Sequence, residues 1–445
     1  MNRLRIVSGL VILALTAAAC QTLAVDIEPT QRSAAAGTQV ALATVGSSAT
    51  APAEMTASPT SQPAETSPTS LSSQLAPAPQ AGPAVRLAEI HMLDAARGWA
   101  LGNRGLGLVD SVLATADGGL TWQAVTPPGV AAGATGAQAA AAFLDQAHAW
   151  VSYADQRSSP ELTQAQVWST ADGGKTWTSG SLDLQSVQVE QFAPKFLGFR
   201  DAQNGWLLAH VGAGMSHEYV VIFTSADGGK TWARVVDPEK NNLGMSCVKT
   251  GLVFQTAKIG YVSGDCQGVR AGIYLSRTVD GGTTWDDVSL PAPDDHPDLF
   301  TNQANACGVE TVLFPSAQDA LIPVRCAAAG SSAPAQRWLY ASHDGGQAFR
   351  PQTVPAQYGA FDFLDPQTGW LIGAFTSDAT RFTLFNTIDG GGTWKSIANL
   401  GWRGQPDFID AQTGWVAATS GDASALVMTR DGGATWQEIK PHLAR

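Results

Sequence analysis

The residues of this chain able to do chemistry fall into a few patterns. Asp294, Asp295, His296 and Asp298 lie close together in a proline-bearing stretch, the kind of set that could hold a divalent cation or present carboxylates to a partner. A solvated acidic loop has the same composition, so these four are taken as a candidate partner loop with no metal assigned. Seven further aspartates, Asp117, Asp172, Asp227, Asp280, Asp344, Asp389 and Asp431, recur at one position of a repeated octet. They could form a ring of ligands, but each is bracketed by turn residues that would use a carboxylate locally. Cys247 and Cys266, then Cys307 and Cys326, are each separated by 19 positions. Cys20 stands apart as a candidate acyl acceptor. It follows Ala17, Ala18 and Ala19, an apolar run from Ile6 to Leu15, and the cations Arg3 and Arg5.

These groups need elements to position them. The octet reads Ser/Thr-x-Asp-x-Gly-x-Thr-Trp, first as Thr115, Asp117, Gly119, Thr121 and Trp122. The copy at Ser342 is degenerate, ending in Ala348 and Phe349. A second motif, Asp-x-x-x-Gly-Trp, precedes each octet: Asp94, Asp201, Asp365 and Asp410 begin its full copies, and Asp145, Thr256 and Ser316 its weaker ones. The first residue of this motif lies 21 to 28 residues before the octet aspartate. Strict alternation of the two motifs defines one repeating unit. Alternating apolar positions and Gly-rich turns make that unit four short antiparallel strands, with the octet on the hairpin between the third and fourth. The expected fold is all-β, a seven-bladed β-propeller of four-stranded antiparallel blades over 86–445. Trp168 and Trp338 fall in third strands and are expected in the core. Trp402 fits a surface contact or a packed position equally.

Residues 1–20 read as a lipoprotein-type signal with Cys20 acylated. Ala17 stands where such signals favour leucine. Residues 21–85 contain no Phe, Trp or Tyr, which predicts a disordered tether between anchor and propeller. Export places the later cysteines in an oxidising compartment. Each pair flanks the first turn of its own unit, which predicts Cys247–Cys266 and Cys307–Cys326; four buried thiols are the alternative, and the spacing does not suit a metal. Both units have weak copies of the Asp-x-x-x-Gly-Trp motif, for which the bridges would compensate. The net charge of −12 and pI near 4.9 disfavour nucleic acid, which needs clustered cations.

The octet resembles the Asp-box, or bacterial neuraminidase repeat. "FLDPQTGWLIG" followed by "TIDGGGTW" more closely resembles the photosystem II stability and assembly factor family. That resemblance covers about 86–440. It implies a propeller that binds or assembles and does not catalyse, needing no cofactor, with a protein as partner and a glycan as the second candidate. Asp-box propellers also include glycosidases. A sialidase needs an arginine cluster and a Tyr/Glu pair, and this chain is poor in Arg, with 6 Tyr. Paired carboxylates facing each other across the ring would still serve a glycoside hydrolase. Carboxylates converging on the centre would favour the enzyme, and a smooth or apolar rim the scaffold. The octets and first turns are expected at one end of the ring. The longer connections at the other end, "YADQRSSPELTQAQ", "HVGAGMSHEY" and "PAPDDHPDLFTNQANA", are the expected place for a partner.

Overall fold

Strands whose side chains are buried on both faces must lie inside a stack of sheets, and those alternating buried with exposed must lie at its margin. Both kinds recur here in a fixed order. Second strands are mostly buried, and Gly369–Ala374 is buried along its whole length, whereas the fourth strand Thr178–Asp183 alternates. The protein is described by a computed structural model over residues 85–103, 110–128, 130, 138–215, 217–240, 242–266, 272–328 and 335–444. The signal stretch, Cys20 and the linker before residue 85 lie outside these residues.

All elements named among the described residues are strands. They form successive four-stranded antiparallel units, each pairing its strands in sequence order. Unit 1 begins at Arg86–Met92, unit 2 at Ala139–Phe143 and unit 3 at Ala193–Phe199. Unit 4 begins at Val248–Phe254, unit 5 at Asn305–Val309, unit 6 at Tyr358–Phe363 and unit 7 at Pro406–Phe408. Units 4 and 5 are joined into one sheet by the pairing of Asp265 with Gly308.

The octets close their hairpins as local hydrogen-bond chemistry requires. Asp117 Oδ1 accepts the Thr121 N–H at 2.8 Å, and Oδ2 accepts its hydroxyl at 2.6 Å. Thr115 Oγ1 donates to the same carboxylate and accepts the Gly119 N–H. The pattern repeats at Asp172, Asp227, Asp280, Asp389 and Asp431. At Asp344 the backbone bond to Ala348 survives and the hydroxyl bond is gone. Two successive glycines take positive φ in every octet, 75° and 93° at Gly118 and Gly119, which only residues without a Cβ adopt readily.

Each octet is bonded to the first turn of its own unit. Gly118 N donates to Ala96 O, and the same bond recurs from Gly173, Gly228, Gly281, Gly345, Gly390 and Gly432. The octets and first turns therefore share one end. Tryptophans join the units: Trp99 Nε1 donates to Asp145 O, Trp150 to Gly228 O and Trp370 to Gly432 O. Unit 7 packs on unit 1 by the same device. Trp415 Nε1 donates to Gly118 O, and Trp415, Leu426 and Met428 share a core with Leu87, Ile90 and Trp122. The last strand, His442–Leu443, adds in parallel to the outer strand of unit 1. The disulfides are Cys247–Cys266 and Cys307–Cys326, each within one unit.

Trp338 and Trp402 are core residues, at 4% and 0% exposure. Trp402 meets Trp436 edge to face. Trp168 departs from expectation. It is only half-buried, because it shares the outer face of its strand, Gln164–Thr170, with the exposed Gln164 and Gln166.

Candidate functional site

The first strands of neighbouring units lie against one another, so a polar side chain on one of them meets backbone of the next. Three residues before the start of each first turn, the seven units carry His91, Ala142, Gly198, Val253, Leu313, Asp362 and Asp407 in chain order. The ionisable residues of this column fall on units 6, 7 and 1, which are consecutive. Asp362 Oδ2 accepts the Phe408 N–H and Asp407 Oδ2 the Met92 N–H, both at 2.6 Å. Glu89 shares the face of His91 two residues away, where a bulge at Ala88 shifts the register. Asp110, ahead of the third strand of unit 1, accepts the Ala139 N–H at 2.9 Å.

These carboxylates are held partly out of water with little positive charge nearby. Among the described residues, no ion pair involves Asp362, Glu89 or Asp110. Asp407 has only His91 Nδ1 at 3.9 Å, and burial lowers the basicity of that imidazole. Burial raises Asp362 to about 6 against the pull of the Phe408 N–H. Burial lifts Asp407 to about 7; the Met92 N–H opposes this, and the charges of Asp362 and Glu89 add to it. Glu89 rises through burial and then the charge of Asp110, although its side chain keeps solvent contact. Asp110 is raised by burial. Tyr153, across in unit 2, rises for the same reason and through the Asp110 charge. A continuous acidic line thus runs from unit 6 through units 7 and 1 to unit 2. Asp362 and Asp407, so perturbed, can hold a proton near neutrality and release it to a bound group.

Elsewhere the part-buried acids are compensated. On units 3 and 4, Glu218 accepts from Lys195 Nζ at 2.8 Å, from His210 Nδ1 at 3.1 Å and from the Lys249 N–H. These bonds outweigh its burial and hold it at about 2. Burial lowers Lys249 to about 8, and its Nζ donates to Ser246 O and Cys247 O. On unit 5, the buried Arg337 donates to Glu310 and to Gly359 O. These groups tie neighbouring units together through paired charges and backbone carbonyls.

The residues singled out from the sequence lie elsewhere. The octet aspartates occupy their turns, and hydrogen bonds hold all seven below the usual carboxylate range. Asp294, Asp295, His296 and Asp298 form no metal-binding cluster; among the described residues no group of three such ligands occurs. Asp294, Asp295 and Asp298 are exposed, and the loop that carries them is anchored by its apolar residues. Leu299 is buried, Phe300 packs by Tyr340, and Pro291 O accepts the Tyr340 hydroxyl. Apolar residues on either side pin the loop down. The sequence reading missed Asp362, Asp407 and Glu89 because it followed the invariant columns of the repeat. The signal was the column that varies, where acids replace the Ala, Gly, Val and Leu of other units.

No family model matches this chain, and no curated protein matches it. Among solved structures it is similar to an ulvan lyase described as a new family of polysaccharide lyase. The identity is 13% and the TM-score 0.49, over 81% of this chain and 96% of that one. It is also similar to a GH74 xyloglucanase from Xanthomonas campestris, at 14% identity and TM-score 0.38, over 81% and 68% of the two chains. An α-L-arabinanase from Penicillium chrysogenum has 14% identity and a TM-score of 0.39, over 67% and 93%.

The expectation of a non-catalytic assembly scaffold like the photosystem II factors, with no enzyme activity, is corrected here. The similar structures named are a lyase and two glycan-degrading enzymes. Within the chain itself, Asp362, Asp407 and Glu89 lie on the first strands of units 6, 7 and 1. They lack the close cations that a purely structural acid would recruit.

Proposed function

We propose that residues 86–445 form a seven-bladed Asp-box β-propeller that hydrolyses glycosidic bonds of a glycan outside the cytoplasm. The seven consecutive units and the packing of unit 7 on unit 1 support the ring. The observation that carries the activity is the trio Asp407, Glu89 and Asp362 on adjoining first strands, close enough that two of the charges raise the third. Hydrolysis needs one carboxyl protonated and one ionised at the same pH. Asp407, at about 7, is the proton donor: it protonates the glycosidic oxygen as the C–O bond breaks. Glu89, open to solvent, takes the proton of the attacking water. Asp362 and His91 set the charge around Asp407, and exchange with solvent restores both carboxyls.

Two disulfides support an oxidising, extracytoplasmic location. Lipidation at Cys20 would tether the ring to a membrane through the 21–85 linker. Cys20→Ser is then expected to move the protein from membrane to soluble fractions, and unchanged membrane association refutes the anchor. The activity is tested by reducing-end release from xyloglucan, arabinan and other neutral polysaccharides. The parent should show a bell-shaped pH profile whose upper limb falls near pH 7. Glu89→Gln and Asp407→Asn should each lower kcat by about 100-fold or more. A folded parent inactive on all of them, or full activity in both variants, overturns the assignment.

A further inference from the structure

The acidic line ends in unit 2 at Tyr153, and Tyr153 opens onto a cavity of about 480 Å³. The cavity lies at the end of unit 2 opposite the octets, where its second and third strands connect. Trp168 lines it together with Gln164, Gln166, Asp155 and Arg157. Strand alternation explains the lining. Ala165 and Val167 point into the core, so Gln164, Gln166 and Trp168 must share the other face. Part of the Trp168 ring packs on the cluster of Trp99, Leu101, Val112 and Val151, and the rest stays open.

The Trp168 indole and the two glutamine amides make no side-chain hydrogen bond among the described residues, whereas the charged pair at the cavity is spent on itself. Ten of the fourteen tryptophans donate their indole N–H to a backbone carbonyl, and Trp168 does not. The Tyr153 hydroxyl is buried without a hydrogen-bond partner. The guanidinium of Arg157 is occupied by Asp155, through Nε at 3.0 Å and Nη2 at 2.5 Å, so it offers no free charge to an anion. Glu161, also at the cavity, adds a negative charge. What remains open is an indole face and two primary amides able to donate and accept. That set matches the hydroxyls and C–H faces of an uncharged sugar ring.

We propose that this cavity is a remote subsite that binds a neutral oligosaccharide segment, with Trp168 as the stacking platform and Gln164 and Gln166 as hydroxyl partners. The subsite rests on the glycan reading above and deepens it: one substrate chain would run from the cavity, past Tyr153 and Asp110, to Glu89 and Asp407.

Affinity electrophoresis of the full-length protein in mild detergent tests this, with gels containing xyloglucan, arabinan or polygalacturonate. At least one neutral polymer should retard the parent, and polygalacturonate should not. Trp168→Ala and Gln166→Ala should each weaken retardation about tenfold, and Trp168→Phe should retain most of it. Gln166 is exposed, so its variant keeps the test decisive if Trp168→Ala misfolds. Failure of every neutral polymer to retard the parent overturns the subsite. So does retardation of folded Trp168→Ala and Gln166→Ala equal to the parent, or retardation by polygalacturonate alone. Asp407→Asn separates the two proposals, since it should lower hydrolysis about 100-fold or more and keep most of the retardation, which Trp168 and the two glutamines supply. Retardation lost on Trp168→Ala in a parent without hydrolytic activity upholds the subsite and sinks the hydrolase. Hydrolysis with undiminished retardation of both cavity variants does the reverse.

Discussion

Replacing Asp407 by Asn should make the protein more stable at alkaline pH while removing its activity. Asp407 is raised from 3.8 to about 7 in the folded state. Between those values the native protein holds a proton that the unfolded chain has lost. Stability is therefore fully present below about pH 4 and is lost as pH rises through about 7. The full shift corresponds to roughly 4 kcal/mol, and solvent reaching the 17% exposed side chain trims this to about 2–4 kcal/mol. Asparagine is isosteric, uncharged, and keeps an oxygen for the Met92 N–H, so the variant escapes the penalty. For a folded part of some 360 residues the unfolding entropy makes a gain of about 3 kcal/mol worth a Tm rise of roughly 4 °C. Scanning calorimetry from pH 3.5 to 8.5 would follow it: equal Tm for parent and variant at the acid end, a gap opening through pH 4–7, and a plateau above. A lower Tm for Asp407→Asn at pH 8, or a gap that does not change with pH, would refute the reasoning. Asp407 would then be a structural clamp between units 7 and 1.

The octet aspartates should behave in the opposite sense. Their folded pKa values are depressed, so the stability they confer is present above about pH 4 and is lost as pH falls toward 2; combined with Asp407, this places the stability maximum near pH 4–6 in a pH series of melting curves. Asp117→Ala removes the bonds from Thr121 and should cost about 1–2 kcal/mol in urea unfolding, leaving kcat at the parent value. Replacing Cys307 and Cys326 together by Ser should cost about 3 kcal/mol, because the bridge closes a loop of 19 residues, and non-reducing peptide mapping of the parent should find no Cys266–Cys307 linkage. Leu299→Ala should cost about 2–3 kcal/mol, since the acidic loop is packed down through this side chain; an unchanged Tm would show that the side chain does not anchor the loop.

Much of the architecture was legible because it is written in short-range code. An octet specifies its own hairpin, since Asp117 reaches only as far as Thr121 and Thr115. Repetition then sets the order of strands, and the flanking positions of Cys247, Cys266, Cys307 and Cys326 set the pairing within each unit. The candidate site obeys no such code. Asp362 is recognised by a backbone N–H 46 residues away and Asp407 by one 315 residues away. Neither residue looks unusual beside its chain neighbours. Their proton affinity comes from exclusion of water and from one another's charge, quantities that exist only once units 6, 7 and 1 are side by side. The same division holds for Trp168. Its place in a third strand was evident from the repeat, but whether the ring is covered depends on what the adjoining unit brings against it. The sequence alone determined the local turns, the strand count per unit and the disulfides, because those depend on contacts within one unit. Only the tertiary structure decided which acids are deprived of counter-ions and which aromatic faces remain open, because burial and long-range charge belong to the assembled units.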